Sequence, residues 1–406
     1  MSSPSPRPTL GEIARVFLKL GFLAFGGPAA HTAMMQDELV RRRRWLSEAD
    51  FLEAVAAVQV VPGPNSTELA IHMGQLRGGF RGLLVAGVCF IGPAVLIILP
   101  LAIAYVHVGR MSEAAATRLA IVMHSISAAV LGVILVAGLR LARSAVTGPG
   151  SAAMVAGAFG FALVLPTLFE AYGLPPAWRQ TELIVLGVAA MIGITSGFAG
   201  AGRSSLAVAL PLAAADAGDW LRLTGFFLKV GGTLFGSGYV LVNYLQTGLT
   251  DGGLGWLSDT QVLDAIAVGQ VTPGPLLTTS TFAGFLIGSL TFDLGIGGSI
   301  LAALIATGAM FAPAFLFVAL LGPLLPPLRA RTWAKNMLAA MGAAAVGLIF
   351  AVCVTLTPTT LAAADRPDWI NLAVLGLTIG AMLWRNVNAT WLVGTALLVG
   401  LLRAAL

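Results

Sequence analysis

The stretch F17-L-K-L-G-F-L-A-F-G26, followed by W45-L-S-E-A-D-F-L-E-A-V-A-A-V-Q-V-V-P62-G-P-N-S-T67, decides the fold because it occurs twice. About 210 residues on, the chain reads F227-L-K-V-G-G-T-L-F-G236 and then W256-L-S-D-T-Q-V-L-D-A-I-A-V-G-Q-V-T-P273-G-P-L-L-T278. Phe17, Lys19, Gly21, Phe25 and Gly26 meet Phe227, Lys229, Gly231, Phe235 and Gly236. One residue of slip later, Trp45, Gln59 and the triplet Pro62-Gly63-Pro64 meet Trp256, Gln270 and Pro273-Gly274-Pro275. Duplication over a fixed period marks a repeat architecture. In an apolar chain, Gly/Pro-interrupted segments at matching places in two halves point to a transport site. The two repeats are placed at residues 1–215 and 216–406.

Composition sets the solvent. Hydrophobic residues make up 57% of the chain and charged residues 10%, and mean hydropathy is +0.90. A soluble domain carries about 25% charge, so this chain is built for the lipid bilayer. Long apolar runs recur at 83–106, 119–141, 152–170, 182–200, 223–247, 299–322, 337–357, 369–384 and 389–404, most of them near the roughly 20 residues that span a hydrocarbon core. The reading is an all-α polytopic membrane protein of about ten transmembrane helices plus re-entrant half-helix hairpins. The start, MSSPSPRPTLGEIARVFLKL, lacks an apolar core followed by a small-residue cleavage site, so no cleaved signal peptide is expected. Cys89 and Cys353 lie far apart inside apolar runs, which indicates neither a disulfide framework nor a metal site. The net charge of +5 comes mostly from arginines beside the membrane. No nucleic-acid partner and no cofactor are expected.

Basic residues mark cytoplasmic loops. Arg41 to Arg44 lie before the first triplet, and Arg77 and Arg81 after it, so residues 46–78 are expected to enter the membrane and return on one side. Each arm holds about 12 residues, roughly 18 Å of helix at 1.5 Å per residue, enough to reach the midplane. The second copy is flanked by Asp251, Asp259 and Asp293 without Lys or Arg. The runs 83–106, 119–141, 152–170, 182–200 and 223–247, each read as a crossing, separate the hairpins. Their odd number places the copies in opposite leaflets, an inverted repeat. The segment 13–36 either crosses or breaks at Gly26-Gly27-Pro28 and returns.

The combination F25-G-G-P-A-A-H-T-A-M-M35, the R-R-R-W-L-S stretch ending at Ser47, V61-P-G-P-N-S-T-E-L-A-I-H72 and F90-I-G-P-A94 resembles the chromate ion transporter family over residues 12–404. The resemblance implies a duplicated, multi-pass inner-membrane protein that exports chromate and confers chromate resistance, with sulfate as a related oxyanion. The second half departs from the first: Phe25-Gly26-Gly27-Pro28 becomes Phe235-Gly236-Ser237-Gly238, and PGPNST becomes PGPLLT.

The tips carry a physical rationale of their own. Proline breaks the incoming helix and glycine permits the turn, while Pro64 and Pro275 suit the first turn of an outgoing helix. The N–H groups that follow, at Asn65 to Thr67 and Leu276 to Thr278, are then free to receive an anion. Two inverted hairpins would aim two such ends at one tetrahedral dianion, with Asn65, Ser66, Thr67, Thr278, Thr279 and Ser280 as neutral donors. Close helix packing through small residues is the alternative. Lys19 and Lys229 are paired ammonium groups inside apolar runs, either facing the dianion or snorkelling to the interface. Gly26, Gly27, Pro28, Gly236, Ser237 and Gly238 read as a second set of helix breaks, or as crowded crossings. Gln59 and Gln270 either hold the unwound backbone or touch substrate. Glu68 is the candidate for proton coupling, with a salt bridge as its alternative. Glu53 and Asp264 read as interface charges, and His31 and His72 as structural histidines, with titration near neutrality in a functional role as the alternative.

No Walker motif is present, so ATP does not drive the chain directly. No HExxH, GxSxG or aspartate dyad is present, so no catalytic residue is expected. A secondary transporter exporting an oxyanion is the leading reading, oxyanion uptake or exchange the runner-up, and an anion channel a weaker third. The pattern leaves a homodimer open.

Overall fold

The computed structural model describes residues 8–24, 28–58, 63, 65–172, 181–197, 218–235, 238–251, 253–321, 332–363, 366–385 and 387–406. Fifteen α-helices lie among them. In the first half these are α1 (Leu10–Leu23), α2 (Pro28–Gln36), α3 (Glu48–Val58), α4 (Ser66–Met111), α5 (Glu113–Ala145), α6 (Pro149–Ala171) and α7 (Thr181–Gly197). The second half contributes α8 (Asp219–Thr233), α9 (Val240–Leu249), α10 (Asp259–Val271), α11 (Thr279–Leu286), α12 (Gly295–Leu321), α13 (Thr332–Leu361), α14 (Trp369–Trp384) and α15 (Ala389–Ala405). A two-residue antiparallel pairing, Ala362–Ala363 with Arg366–Pro367, joins α13 to α14.

Among the described residues five helices are long and apolar enough to cross a bilayer: Ser66–Met111, Glu113–Ala145, Pro149–Phe169, Gly295–Leu320 and Thr332–Leu361. Shorter apolar helices lie at Thr181–Ser196, Leu276–Thr291, Trp369–Trp384 and Ala389–Ala405. The chain is therefore a polytopic membrane protein. The run 223–247, expected as one crossing, is instead two helices: α8 ends at Thr233 and α9 starts at Val240. The run 13–36 is divided at the equivalent place, between α1 and α2.

The duplicated helices bury the same positions. Thr9 caps α1, its hydroxyl accepting from the Glu12 N–H at 3.3 Å while the Glu12 carboxylate accepts from the Thr9 N–H at 2.7 Å. Ile13, Val16, Phe17, Leu20 and Gly21 then form the buried stripe of α1, and Leu223, Phe226, Phe227, Val230 and Gly231 form that of α8. The spacing is that of one helix face. Gly21 lets α1 close on α4: a methyl there would sit 2.7 Å from the Phe90 carbonyl oxygen. Gly231 meets the Met310 carbonyl of α12 in the same way. After each broken helix the chain turns alike, with the Trp45 N–H donating to Leu39 and the Trp256 N–H to Leu249, both at 2.8 Å.

Residues 66–111 contain a reversal. Gly79 has φ 60° and ψ −152°, outside the helical range, a conformation that suits glycine. A methyl on Gly74 would collide with Gly82 and with Ala86, residues that a straight helix would hold about 12–18 Å away. The arm from Ser66 to Gly78 therefore folds back against the rest of α4. In the second half α11 folds back on α12 alike, since Gly284 meets Ala302, Ala303 and Ala306.

The helices gather into two compact units, and each draws on both halves of the sequence. The first comprises Met1–His107, Leu223–Gly238 and Val268–Pro326. Its core joins Ile13, Phe17 and Leu20 of α1 with Met35, Leu39, Phe51, Leu69, Met73 and Phe90. The second comprises Val108–Arg222, Tyr239–Ala267 and Pro327–Leu406. There α5 of the first half packs on α14 and α15 of the second, and α13 of the second half packs on α6 and α7 of the first. Two close approaches repeat this exchange: Gly193 of α7 meets Asn336 and Met337 of α13, and Gly400 of α15 meets Val122 and Ser125 of α5. Arg403 fastens α15, donating to Asp368 at 2.8 Å, Asn371 at 2.9 Å and Ser125 at 3.2 Å.

Candidate functional site

Both tips belong to the first unit, and each is tied to the broken helix of the other half. Gly63, at φ +139°, donates its N–H to the Leu234 carbonyl at 2.7 Å. Gly274, at φ +107°, donates its N–H to the Ala24 carbonyl at 2.9 Å. Ala24 and Leu234 end α1 and α8 at equivalent places in the repeat. Carbonyls at a helix end lack intrahelical partners, so each tip glycine satisfies one left open by the opposite half. The exchange is reciprocal, as a two-fold relation between equivalent surfaces requires.

His31 reinforces the first of these joints. It is 2% exposed, with Nε2 3.0 Å from the Ala24 carbonyl and Nδ1 3.2 Å from the Ser66 hydroxyl. A carbonyl only accepts, so Nε2 carries the proton, and in the neutral ring Nδ1 then accepts from Ser66. The Ala24 oxygen thus receives two hydrogen bonds, one from Gly274 and one from His31. The Ser66 hydroxyl proton points at the imidazole, away from the role of free donor expected of it.

The hydroxyls of the second tip are satisfied by its own backbone. Pro275 precedes a 3-10 turn, Leu276–Thr278, that leads into α11. The Thr278 hydroxyl donates to the Pro275 carbonyl at 2.6 Å, Thr279 to Leu276 at 2.8 Å and Ser280 to Leu277 at 2.7 Å. The Thr278 N–H also donates to Pro275, at 3.0 Å. These three side chains were expected as donors to an anion, yet their protons are committed to carbonyls three residues back. A hydroxyl near its own helical backbone finds such a carbonyl at no cost in reach. Leu276 and Leu277 keep the first N–H groups of the turn. A methyl on Gly238 would lie 3.4 Å from the Leu276 side chain, so the described end of the second helix break lies against this tip.

At the first tip the polar groups are left over. Asn65 precedes α4 at φ +28°. Thr67 and Glu68 are fully buried, and the Thr67 hydroxyl and both Glu68 oxygens have no hydrogen-bond partner among the described residues. The Glu68 carboxyl lies against Gly63: a methyl on that glycine would collide with Oε1. The salt bridge allowed for Glu68 is not formed among the described residues.

The paired lysines diverge. Lys19 Nζ lies 2.7 Å from Glu38, whose carboxylate also takes Arg43 Nε at 2.8 Å. Glu38 is 6% exposed, so Lys19 neutralises a buried acid 19 residues on. Gly248 and Leu249 stand where Glu38 would recur in the second half. Lys229 sits over the Phe226 ring at 5.2 Å from its centroid. Gln270 closes α10 with its Nε2 buried and without a hydrogen bond among the described residues. Glu53 is exposed, and Asp264 is buried. Pro28 opens α2, and Pro273 flanks Gly274. Gly26, Gly27, Gln59, Pro62, Pro64, Gly236 and Ser237 lie outside the described residues. Among the described residues no group of three or more His, Cys, Asp or Glu is placed to hold a metal ion.

The sequence pattern missed the two carbonyl acceptors, which carry no side-chain signature, and the pairing of Lys19 with Glu38. His31 was weighed as structural, and its spacing gave no sign that it would reach the tip.

Comparison with known proteins agrees with this duplicated plan. The profile of the family described as chromate transporter matches residues 11–194 and again 221–401. A chromate transport protein of Cupriavidus metallidurans is 30% identical over 98% of this chain and 94% of its own length. A probable chromate transport protein of Synechococcus elongatus is 31% identical over 78% of this chain and 77% of its own. An uncharacterized transporter of Methanocaldococcus jannaschii is 27% identical over 97% and 94%. No solved structure matches the chain. Two profile matches, one in each half and each enclosing a tip and its broken helix, identify the chain as a member of the chromate transporter family.

Proposed function

We propose that this chain is a secondary transporter that exports chromate across the inner membrane, with sulfate and related tetrahedral oxyanions competing for the same site. The observation that carries this reading is the reciprocal capping of the two broken helices by Gly63 and Gly274. It supports two halves of opposite orientation built around one shared site, the arrangement that suits alternating access.

The oxyanion sits between the tips. The first N–H groups of α4 and of the Leu276–Thr278 turn receive it, with the partial positive charge of the helix start behind them. The Thr67 hydroxyl and the Asn65 amide are the side-chain donors. Ser66, Thr278 and Thr279 shape the tips instead, since their protons are engaged. Lys229 adds positive charge in the second half, and Lys19 holds Glu38. Export needs no ATP, because an inside-negative potential contributes ~2.3 kcal/mol per charge per 100 mV, or roughly 4.6 kcal/mol for a dianion.

Everted membrane vesicles provide the test. Vesicles carrying the protein should accumulate chromate, faster when an interior-positive potential is imposed, and excess sulfate should slow the flux. Chromate entry equal to that of vesicles without the protein would refute export. Flux unchanged by saturating sulfate would refute the shared site.

A further inference from the structure

Glu68 is a fully buried carboxyl group that forms no ion pair and no hydrogen bond among the described residues. It is 0% exposed, neither oxygen has a hydrogen-bond partner among the described residues, and the adjacent Thr67 hydroxyl is equally unpartnered and buried. An ionised carboxylate does not persist in such a site: it takes up a proton and becomes neutral. The neutral acid is no longer an acceptor only, because it carries one O–H donor. Its position directs that donor usefully. Glu68 is the third residue of α4, lies against Gly63, and follows Ser66 and Thr67 at the start of the helix. Its counterpart in the second half is Thr279, whose hydroxyl is satisfied by the Leu276 carbonyl at 2.8 Å. The first tip thus offers an unused donor at a place where the second offers none.

We propose that Glu68, as a neutral acid, donates a hydrogen bond to the oxyanion at the first tip, so that one proton is bound whenever the dianion is bound. This rests on the tips being the oxyanion site. An ionised Glu68 would face the dianion as a like charge and repel it. Proton and dianion therefore bind together, and the occupied site carries a charge of −1 in place of −2.

The other titratable groups around the tip do not substitute for Glu68. Lys19 on α1 and Glu38 are paired with each other. His31 on α2 is engaged by Ala24 and Ser66. His72, one turn further along α4, has Nδ1 3.4 Å from Gln75, and Arg77 lies beyond it on the same arm. Glu48, Asp50 and Glu53 of α3 are exposed. Lys229 of α8 lies over Phe226. Helices α11 and α12 carry no charged residue.

Equilibrium binding of chromate to the purified full chain tests the proposal, over a pH range in which chromate stays a dianion. Wild-type affinity should fall as pH rises, approaching tenfold per pH unit once Glu68 ionises in the empty protein. Glu68→Gln keeps a neutral donor without an ionisable proton, so its affinity should be independent of pH and within about threefold of the wild-type value at the low end. Binding to wild type in weak buffer should take up close to one proton per chromate at the alkaline end, a measurement that stands even if the variant fails to fold. A flat wild-type profile with no proton uptake overturns the proposal. So does a folded Glu68→Gln protein that cannot bind chromate at low pH. Gly63→Val separates the two readings: its loss of binding alongside a flat wild-type profile removes the proton and keeps the site. Unaltered chromate binding by folded Gly63→Val removes the site itself.

Discussion

At the second tip Thr278, Thr279 and Ser280 turn their hydroxyls back on carbonyls three residues earlier. At the first tip Ser66 gives its hydroxyl to His31, while Thr67 and Glu68 bond to nothing described. The backbone plan is the same in both: a glycine at positive φ donating to the end of the opposite broken helix. What differs is whether the side chains at each tip are already satisfied. A saturated tip holds its shape without a ligand, whereas a tip with buried, unpaired polar groups gains most when one arrives. The duplication has thus kept a shared scaffold while leaving the unsatisfied side chains, among the described residues, at the first tip.

Attacking the shared backbone should produce the largest effect and the least difference between halves. Gly63→Val and Gly274→Val each place a β-branched residue at positive φ, and the new side chain would strike Glu68 in one case and Ala94, at 2.8 Å, in the other. Chromate flux in vesicles should fall by about a hundredfold or more for both, the cost of strained backbone added to a steric clash. Retention of flux by one variant alone would show that the tips differ in backbone as well as side chains.

A smaller and unequal effect is expected at the lysines. Lys19→Ala leaves the buried Glu38 with Arg43 at 2.8 Å as its near partner and Arg42 4.0 Å away. Stability in detergent should drop by about 1.5–3 kcal/mol, the range for a hydrogen bond to a charged group, and toward its lower end because Lys19 is half-exposed. Adding Glu38→Gln should restore part of it. Lys229→Ala removes a contact with the Phe226 ring worth about 0.5–1 kcal/mol, so its melting shift should be the smaller of the two. Equal melting shifts for Lys19→Ala and Lys229→Ala would erase this distinction.

The hydroxyls sharpen the comparison at its fine end. Ser66→Ala and Thr278→Ala each delete one neutral hydrogen bond, about 0.5–1.5 kcal/mol, or roughly two- to tenfold in flux. Ser66→Ala should be the more damaging, because it leaves buried His31 without its Nδ1 donor, while Thr278→Ala returns one carbonyl to a turn that retains its N–H bond. The opposite order would make the second tip the chemical one.

Much of this scaffold was legible in the repeated residues. One helix of the run 13–36 ends at Leu23 and the next opens at Pro28, and the buried stripes of α1 and α8 follow the repeat position by position. Hydropathy misled at 223–247, since apolar residues continue on both sides of the break and a window average cannot see a lost helical turn. The acceptors for the tip glycines were out of reach for another reason: any residue supplies a carbonyl, so Ala24 and Leu234 give no sign of their use. Lys19 read equally as a substrate group or a snorkelling one, and its pairing with Glu38 was hidden because that partner lies beyond a helix break, where helical spacing rules do not extend. The hydroxyls of Thr278, Thr279 and Ser280 marked a polar tip, but residue type does not reveal whether a proton points inward or back along the chain.

The interleaving of the two halves has a consequence for how the molecule is made. A ribosome delivers α5 long before α14 and α15, the helices it packs against, and α6 and α7 before α13. The first unit lacks 268–326 while residues 1–107 are being made, and the second lacks 327–406 while residues 108–222 are. Neither has its full set of partners while the early helices are being threaded into the membrane, so Gly193 of α7 waits for Asn336 and Met337 of α13, against which it closes. Assembly is therefore a long-range event, with the Arg403–Ser125 contact closing across 278 residues, and the nascent protein is exposed to mispairing while its early helices await their later partners.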